Sequence, residues 1–203
     1  MYEALVHQHI PFDPIHDGFL DKIDLSKYQF LLLPGVSCLS DAQNDAVDRF
    51  VSGGGQLVLT GTPPLRDQAG RWTGPRLKCL PFEAQPENVH QAAGGYLMLS
   101  HPELYPSLPG TGLIGIGFGF TQLEPKSIPG LVRDMPRREP PKNNKPEFSN
   151  IAELTEAYGM FLYPYEKGRV LVLPWALGQM YRRYGIYECP QTPGTMPLTL
   201  PEL

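Results

Sequence analysis

Two short apolar runs, Phe30-Leu31-Leu32-Leu33-Pro34 and Gln56-Leu57-Val58-Leu59-Thr60, constrain this chain more than any other feature. Both are nearly continuous rather than alternating, the pattern of strands covered on both faces in a parallel sheet. Between them Ala42, Ala46, Val47, Phe50 and Val51 recur at helical spacing. Ser40 stands where an N-cap belongs, with Asp41-Ala42-Gln43 in the first turn. Gly53-Gly54-Gly55 stops the helix on its C-terminal side. Strand, helix and strand joined by short links form a βαβ unit with a right-handed crossover.

The remainder is less regular. Residues 2–9 read as the end of a helix, and Pro11 to Ile15 as a short extended run interrupted by prolines. Residues 62–95 show no clear period, residues 96–99 suit a strand, and residues 113–121 alternate glycine with Leu, Ile and Phe as a weaker strand. Residues 134–147 read as a polar, proline-rich loop. Ala157 to Tyr165 and Arg169 to Leu173 are two further strands, joined by Glu166-Lys167-Gly168 as a hairpin turn with the glycine placed for positive φ. Ala176 to Tyr184 suits a short amphipathic helix, and residues 190–203 a Pro- and Thr-rich tail. The chain holds 23 prolines and 21 glycines in 203 residues, too many for a strongly helical protein.

Chemistry is sparse. Cys38, Cys79 and Cys189 have neither disulfide nor zinc spacing, so three reduced thiols and a cytoplasmic location are expected. His7, His9, His16, His90 and His101 lack the companions of a metal set. The glycine runs Gly53-Gly54-Gly55 and Gly115-Ile116-Gly117-Phe118-Gly119 do not open a helix with Gly-Lys-Ser/Thr, which argues against phosphate binding. Glu147 with Glu153 or Glu156 offers a carboxylate pair of the glycosidase kind, but nothing around them singles them out from solvated carboxylates. The net charge of −4 argues against a nucleic-acid partner, and no apolar run approaches the roughly 18 residues of a membrane span. Trp175, Tyr181 and Tyr184 offer stacking surface for a sugar or a partner, with core packing as the competing role.

Two blocks carry a resemblance. IDLSKYQFLLLPGVSCLSDAQNDAVDRFVSGGGQLVLTGT, at the first βαβ unit, and EKGRVLVLPWALGQMYRRYG, residues 166–185, resemble the class I glutamine-amidotransferase-like domain attached to glycoside hydrolases, the trimerisation domain of family 42 β-galactosidases. The resemblance implies an α/β, flavodoxin-like three-layer sandwich with a mostly parallel sheet and a β-rich C-terminal half, over residues 1–189. It implies a first strand that is missing before Met1, so that either residues 12–15 pair directly with residues 30–34 or the chain is the C-terminal part of a longer polypeptide, the second being preferred. In amidotransferases the strand after the glycine turn ends in Gly-x-Cys-x-Gly; here Gly61 or Thr62 stands in the cysteine's place, Cys38 lies in another loop, and no histidine follows His101. A thiolate nucleophile therefore has no position from which to act.

The resemblance implies a non-catalytic ancillary or oligomerisation domain, with no catalytic residue, cofactor or metal. Its partners would be a glycoside hydrolase catalytic domain and further copies of itself, with carbohydrate as an additional candidate. Trp175, Tyr181 and Arg182 are the interface or sugar-contact candidates, because aromatics and arginine are enriched at interfaces. The competing expectations are a free-standing hydrolase similar to the trehalose-utilisation proteins, with Ser37, Thr60 and Thr62 at its pocket, and a carbohydrate-binding module without chemistry.

Overall fold

The computed structural model of the protein describes residues 1–90, 95–101, 103, 112–116, 119–139 and 153–179. Helix α1, Tyr2–His7, opens the chain and buries none of its residues. Strand β1, Phe30–Pro34, helix α2, Asp41–Ser52, and strand β2, Gln56–Thr60, form the expected βαβ unit with β1 and β2 parallel. Short strands follow: β3, Phe82–Glu83, β4, Val89–His90, β5, Gly95–Met98, β6, Leu113–Ile116, β7, Phe120–Thr121, and β8, Glu124–Pro125. Three longer ones complete the fold: β9, Val132–Glu139, β10, Glu153–Tyr165, and β11, Gly168–Leu173.

Seven strands make one sheet in the order β1-β2-β11-β10-β9-β5-β6. Only β1–β2 and β2–β11 are parallel pairs; β11–β10, β10–β9, β9–β5 and β5–β6 are antiparallel. The mostly parallel sheet and the flavodoxin-like sandwich expected from sequence are corrected by this order. The reason is physical: a parallel pair needs a crossover that returns the chain to the same edge, and a tight hairpin permits only antiparallel pairing. The turn between β10 and β11 is such a hairpin, so parallel pairing ends at β11.

Helix α2 begins as its sequence requires. The Ser40 hydroxyl accepts from the Gln43 N–H at 3.3 Å, and the Gln43 side chain accepts from the Ser40 N–H at 2.8 Å. This reciprocal capping box stabilises the helix start by about 1 kcal/mol. The buried face differs in detail from the apolar spacing. Ala42 is exposed, whereas Asn44 and Asp48 are buried with Ala46, Val47, Phe50 and Val51. Asp48 is accommodated because its carboxylate accepts the N–H groups of Lys78 and Cys79, both at 2.9 Å.

The main core lies between α2 and one face of the sheet, where Leu31, Leu33, Leu57, Leu59, Val170 and Val172 are buried with Phe82, Phe161 and Tyr163. A second cluster forms around Leu97, Phe120, Met135, Met160 and Trp175. Each fully buried aliphatic side chain contributes roughly 1.5–3 kcal/mol relative to exposure.

Four further expectations are corrected. Residues 11–15 form no strand and do not pair with β1, because Pro11 and Pro14 have no N–H to offer a ladder. Residues 134–139, the first part of the expected 134–147 loop, belong to β9, Val132–Glu139. Pro136 is tolerated there because the β9–β10 register shifts between Leu154 and Tyr158, and a proline is compatible with such an irregularity. At the β10–β11 turn the positive φ belongs to Glu166, at 49°, not to Gly168. Gly168 is needed for another reason: a Cβ there would run into the backbone carbonyl oxygens of Val51 and Gly55. The stretch read as one strand over 113–121 supplies β6 to the large sheet and β7 to a separate pair with β4.

Gly168→Ala is accordingly expected to lower stability by about 1–3 kcal/mol through overpacking against rigid backbone. Urea unfolding followed by tryptophan fluorescence measures it, and an unchanged midpoint would contradict the close approach of β11 to the end of α2.

Candidate functional site

In open α/β sheets, ligands bind beyond the carboxyl ends of the parallel strands. Here those ends belong to β1, β2 and β11, and they are knitted to one another. The Gly35 N–H donates to the Thr60 carbonyl at 2.6 Å. The Gly61 N–H is shared between the carbonyls of Leu173 at 3.0 Å and Trp175 at 2.8 Å. Gly61 has φ of +76°, and a Cβ on it would stand 3.2 Å from the Gly35 Cα. A side chain at position 61 is therefore opposed both by backbone conformation and by space.

Strand β7 and Trp175 fill the region above these ends. Phe120 bridges to Trp175, the Thr121 N–H donates to the Pro174 carbonyl at 2.7 Å, and the Ala176 N–H donates to the Gly119 carbonyl at 3.0 Å. The Thr121 hydroxyl donates to the Thr62 hydroxyl at 3.3 Å. Thr60 and Thr121 are buried. Trp175 is only 3% exposed, and its indole N–H donates to the Gly159 carbonyl at 2.9 Å. Its ring packs in the second core, so a sugar has no access to its face; the core-packing role is the one the fold uses. Tyr181, Arg182 and Tyr184 lie outside the described residues, as do Cys189, Glu147 and the tail from 190. Residues 177–179 are helical, and the rest of the helix expected to Tyr184 also lies outside them.

Neither thiol among the described residues supplies chemistry to this edge. Cys38 is exposed in the loop after β1, its backbone bridged to Arg66 and its Sγ 3.7 Å from the Ser37 hydroxyl. Cys79 is buried, and burial together with the nearby Asp48 carboxylate pushes its thiol well above the ordinary value of 9.0. A thiol so shifted is a packing group rather than a nucleophile. Its carbonyl accepts the Tyr163 hydroxyl at 2.7 Å, and burial raises that phenol too. Among the described residues no cluster of His, Cys, Asp and Glu can hold a metal ion. No helix among them is long and apolar enough to cross a membrane.

Two clefts lie elsewhere. One of about 530 Å³ is at the opposite ends of β1 and β2, lined by Asp24, Tyr28, Gln29, Arg49, Phe50 and Gln56. The other, about 500 Å³, sits at the start of α2, where Arg76 pairs with Asp41 and Arg71 with Asp67 at 2.8 Å. Each arginine there already has its carboxylate.

Two buried polar residues in β9 were not expected from the sequence. Asp134 is wholly buried and accepts the N–H groups of Ser100 at 2.9 Å and His101 at 3.3 Å. Arg137, also buried, places its guanidinium 4.6 Å from the centre of the Phe120 ring. Asp134, Met135, Pro136 and Arg137 are all buried, so no inward–outward alternation marked them, and the proline and the surrounding charges have the composition of a loop.

This arrangement, a parallel corner grafted onto an antiparallel sheet, is a fold found within large glycoside hydrolases. It matches a β-galactosidase from Bacillus circulans sp. alkalophilus with a TM-score of 0.65 at 16% identity, over 86% of this chain and 23% of that one. A β-galactosidase from Rahnella sp. R3 matches with a TM-score of 0.62 at 14% identity, over 90% of this chain and 26% of that one. A cytoplasmic protein of Salmonella typhimurium matches with a TM-score of 0.57 at 11% identity, over 85% of this chain and 72% of that one. The chain thus spans about a quarter of the length of the two β-galactosidases. In sequence, residues 1–75 match the model of the beta-galactosidase trimerisation domain. No curated protein matches the sequence.

Two outcomes follow from the packing of this edge. Trp175→Phe should cost about 1–3 kcal/mol by orphaning the Gly159 carbonyl, and Trp175→Ala about 3–5 kcal/mol. Thermal unfolding monitored by circular dichroism ranks the two, and a harmless Trp175→Ala would show that the ring is not a core element. Stability should also fall at alkaline pH. The raised Cys79 thiol keeps its proton in the folded state, while in the unfolded chain it ionises above its ordinary 9.0. The contribution is full below that pH and declines as pH rises past it. Urea midpoints should fall progressively as pH rises past 9.0, with a shallower fall in Cys79→Ala; equal slopes would refute the assignment.

Proposed function

We propose that this chain is a non-catalytic ancillary domain of a β-galactosidase-like glycoside hydrolase, acting in subunit association. The observation that carries the reading is the match of residues 1–75 to the beta-galactosidase trimerisation domain. The filled carboxyl edge supports it: the position where an amidotransferase-like scaffold would hold its nucleophile is Gly61, followed by Thr62 with its hydroxyl bonded to Thr121. On this reading the scaffold is a glutamine-amidotransferase-like domain that has lost its thiolate, with residues 1–189 as the domain and 190–203 as a tail. The catalytic barrel of the hydrolase and further copies of this chain are the partners, and the compartment is the cytoplasm. A free-standing hydrolase or a sugar-binding module on this scaffold needs an open pocket with convergent polar groups, and the packing of Phe120, Thr121 and Trp175 counts against one at this edge.

Sedimentation velocity on the chain, together with a pull-down against a family 42 catalytic barrel, tests the association. A trimer, or a stable complex with the barrel, is expected. A chain that stays monomeric and captures no barrel overturns the reading. Glutamine should release no ammonia in its presence; release that disappears in Cys38→Ala would restore an enzymatic role.

A further inference from the structure

The antiparallel end of the large sheet has one covered face and one open face. Tyr96 in β5, Arg138 in β9 and Leu154 in β10 stand in register, and Gly115 in β6 completes the row. Residues in register point to the same face of a sheet. Met98 lies two residues beyond Tyr96 and is in register with Leu113, so these two join that face. The intervening Leu97 is wholly buried in the second core, which fixes the other face. Tyr96, Leu113 and Leu154 are all exposed. Helix α2 packs over β2 and β11, toward the other end of the sheet.

At the centre of the open face is a half-buried arginine that no described carboxylate pairs with. The Arg138 guanidinium donates to the Met98 sulfur at 3.4 Å, and its Nε is buried without a hydrogen-bond partner. Arg71 and Arg76, by contrast, hold their own carboxylates. A guanidinium removed from water without an anion is costly, and a carboxylate brought by a partner would offset that cost. Tyrosine, methionine and arginine are also the residue types enriched in protein interfaces. Leu113, Leu154 and Met98 offer a sugar no hydrogen-bond donors, so this face suits an apolar protein surface that carries a carboxylate.

The same chain carries such a surface near α2. The turn Asp17–Phe19 is tethered there by the Gln43 side-chain amide, which donates to the Asp17 carbonyl at 2.8 Å. Phe19 is exposed on it, and residues 17–24 hold Asp17, Asp21 and Asp24 against the single cation Lys22. His16 engages Asp17 and Ser26 engages Asp24, whereas the Asp21 carboxylate has no partner among the described residues. We propose that the Tyr96–Arg138–Leu154 face of one copy receives the Phe19–Asp21 surface of a second copy, with Arg138 pairing to Asp21. The proposal rests on the reading of the chain as an association domain and names the surfaces through which it acts. A two-fold contact of the open face with itself would set Arg138 against Arg138, which like charge opposes. Two different surfaces, one at the antiparallel end of the sheet and one near α2, make a heterologous contact, the kind that can close a ring of three.

Sedimentation velocity on the full chain, across a concentration series, tests this. Arg138→Glu and Asp21→Arg should each weaken self-association roughly tenfold or more, and the double variant should recover most of that loss because the swapped charges pair again. Asp21 lies in a turn, so Asp21→Arg keeps its meaning if Arg138→Glu perturbs β9. Leu154→Lys, at an exposed position, should weaken association with an unchanged Tm. A trimer indifferent to all three variants, or two charge reversals that do not rescue each other, overturns the proposal and leaves the association reading standing. A chain that stays monomeric at every concentration overturns both. Loss of barrel capture in Arg138→Glu, with self-association unchanged, assigns the face to the catalytic domain and overturns the proposal.

Discussion

The parallel pairing of β2 with β11 is the joint on which the structure depends. It aligns Gln56 through Thr60 with Arg169 through Leu173, segments far apart in the chain. Closing so long a loop costs entropy, but the cost grows only slowly with length. Burial of Leu57, Leu59, Val170 and Val172 on one face offsets it. β11 is also the strand at which the sheet changes character, parallel to β2 on one side and antiparallel to β10 on the other. The joint requires a close approach, since Gly168 leaves room for the carbonyls of Val51 and Gly55 that end α2 and lead into β2.

The same joint closes the carboxyl edge. Because β11 lies beside β2, the chain leaving β11 passes directly over Thr60 and Gly61, and Leu173, Pro174 and Trp175 offer their carbonyls there. Gly61 takes two of them and Thr121 the third. The indole of Trp175 then reaches the Gly159 carbonyl in β10. Strand order, rather than any single substitution, makes this edge a packed seam.

How much of this the sequence disclosed depends on range. The βαβ unit, the Ser40 cap, the glycine stop and the β10–β11 hairpin were legible because each is fixed by residues within a turn or two of one another. The sheet's mostly antiparallel character was not, because pairing β10 with β9 and β9 with β5 is decided by side chains far apart in the chain. β9 was hidden for a local reason: Pro136, Asp134 and the arginines have the composition of a loop. They form a strand because the fold supplies partners, the Ser100 and His101 amides for Asp134 and the Phe120 ring for Arg137. Trp175 was ambiguous for the same reason, since whether an aromatic packs or protrudes depends on the elements that meet it.

The chemistry of the edge follows from this hydrogen-bond accounting. Catalysis of acyl transfer needs backbone N–H groups held in place but left for the oxyanion. The N–H at position 61, at the carboxyl end of β2, is held in place but already engaged with the carbonyls of Leu173 and Trp175. Freeing it would break two of the hydrogen bonds that hold the seam, although each carbonyl keeps a second donor, the Trp175 N–H for Leu173 and the Leu177 N–H for Trp175. A nucleophile placed at position 61 would lack both room and a free donor for an oxyanion, because Gly35 stands against any side chain there and the N–H is occupied. The groups that would serve a reaction in an open site serve here to fasten β2, β11 and β7 together.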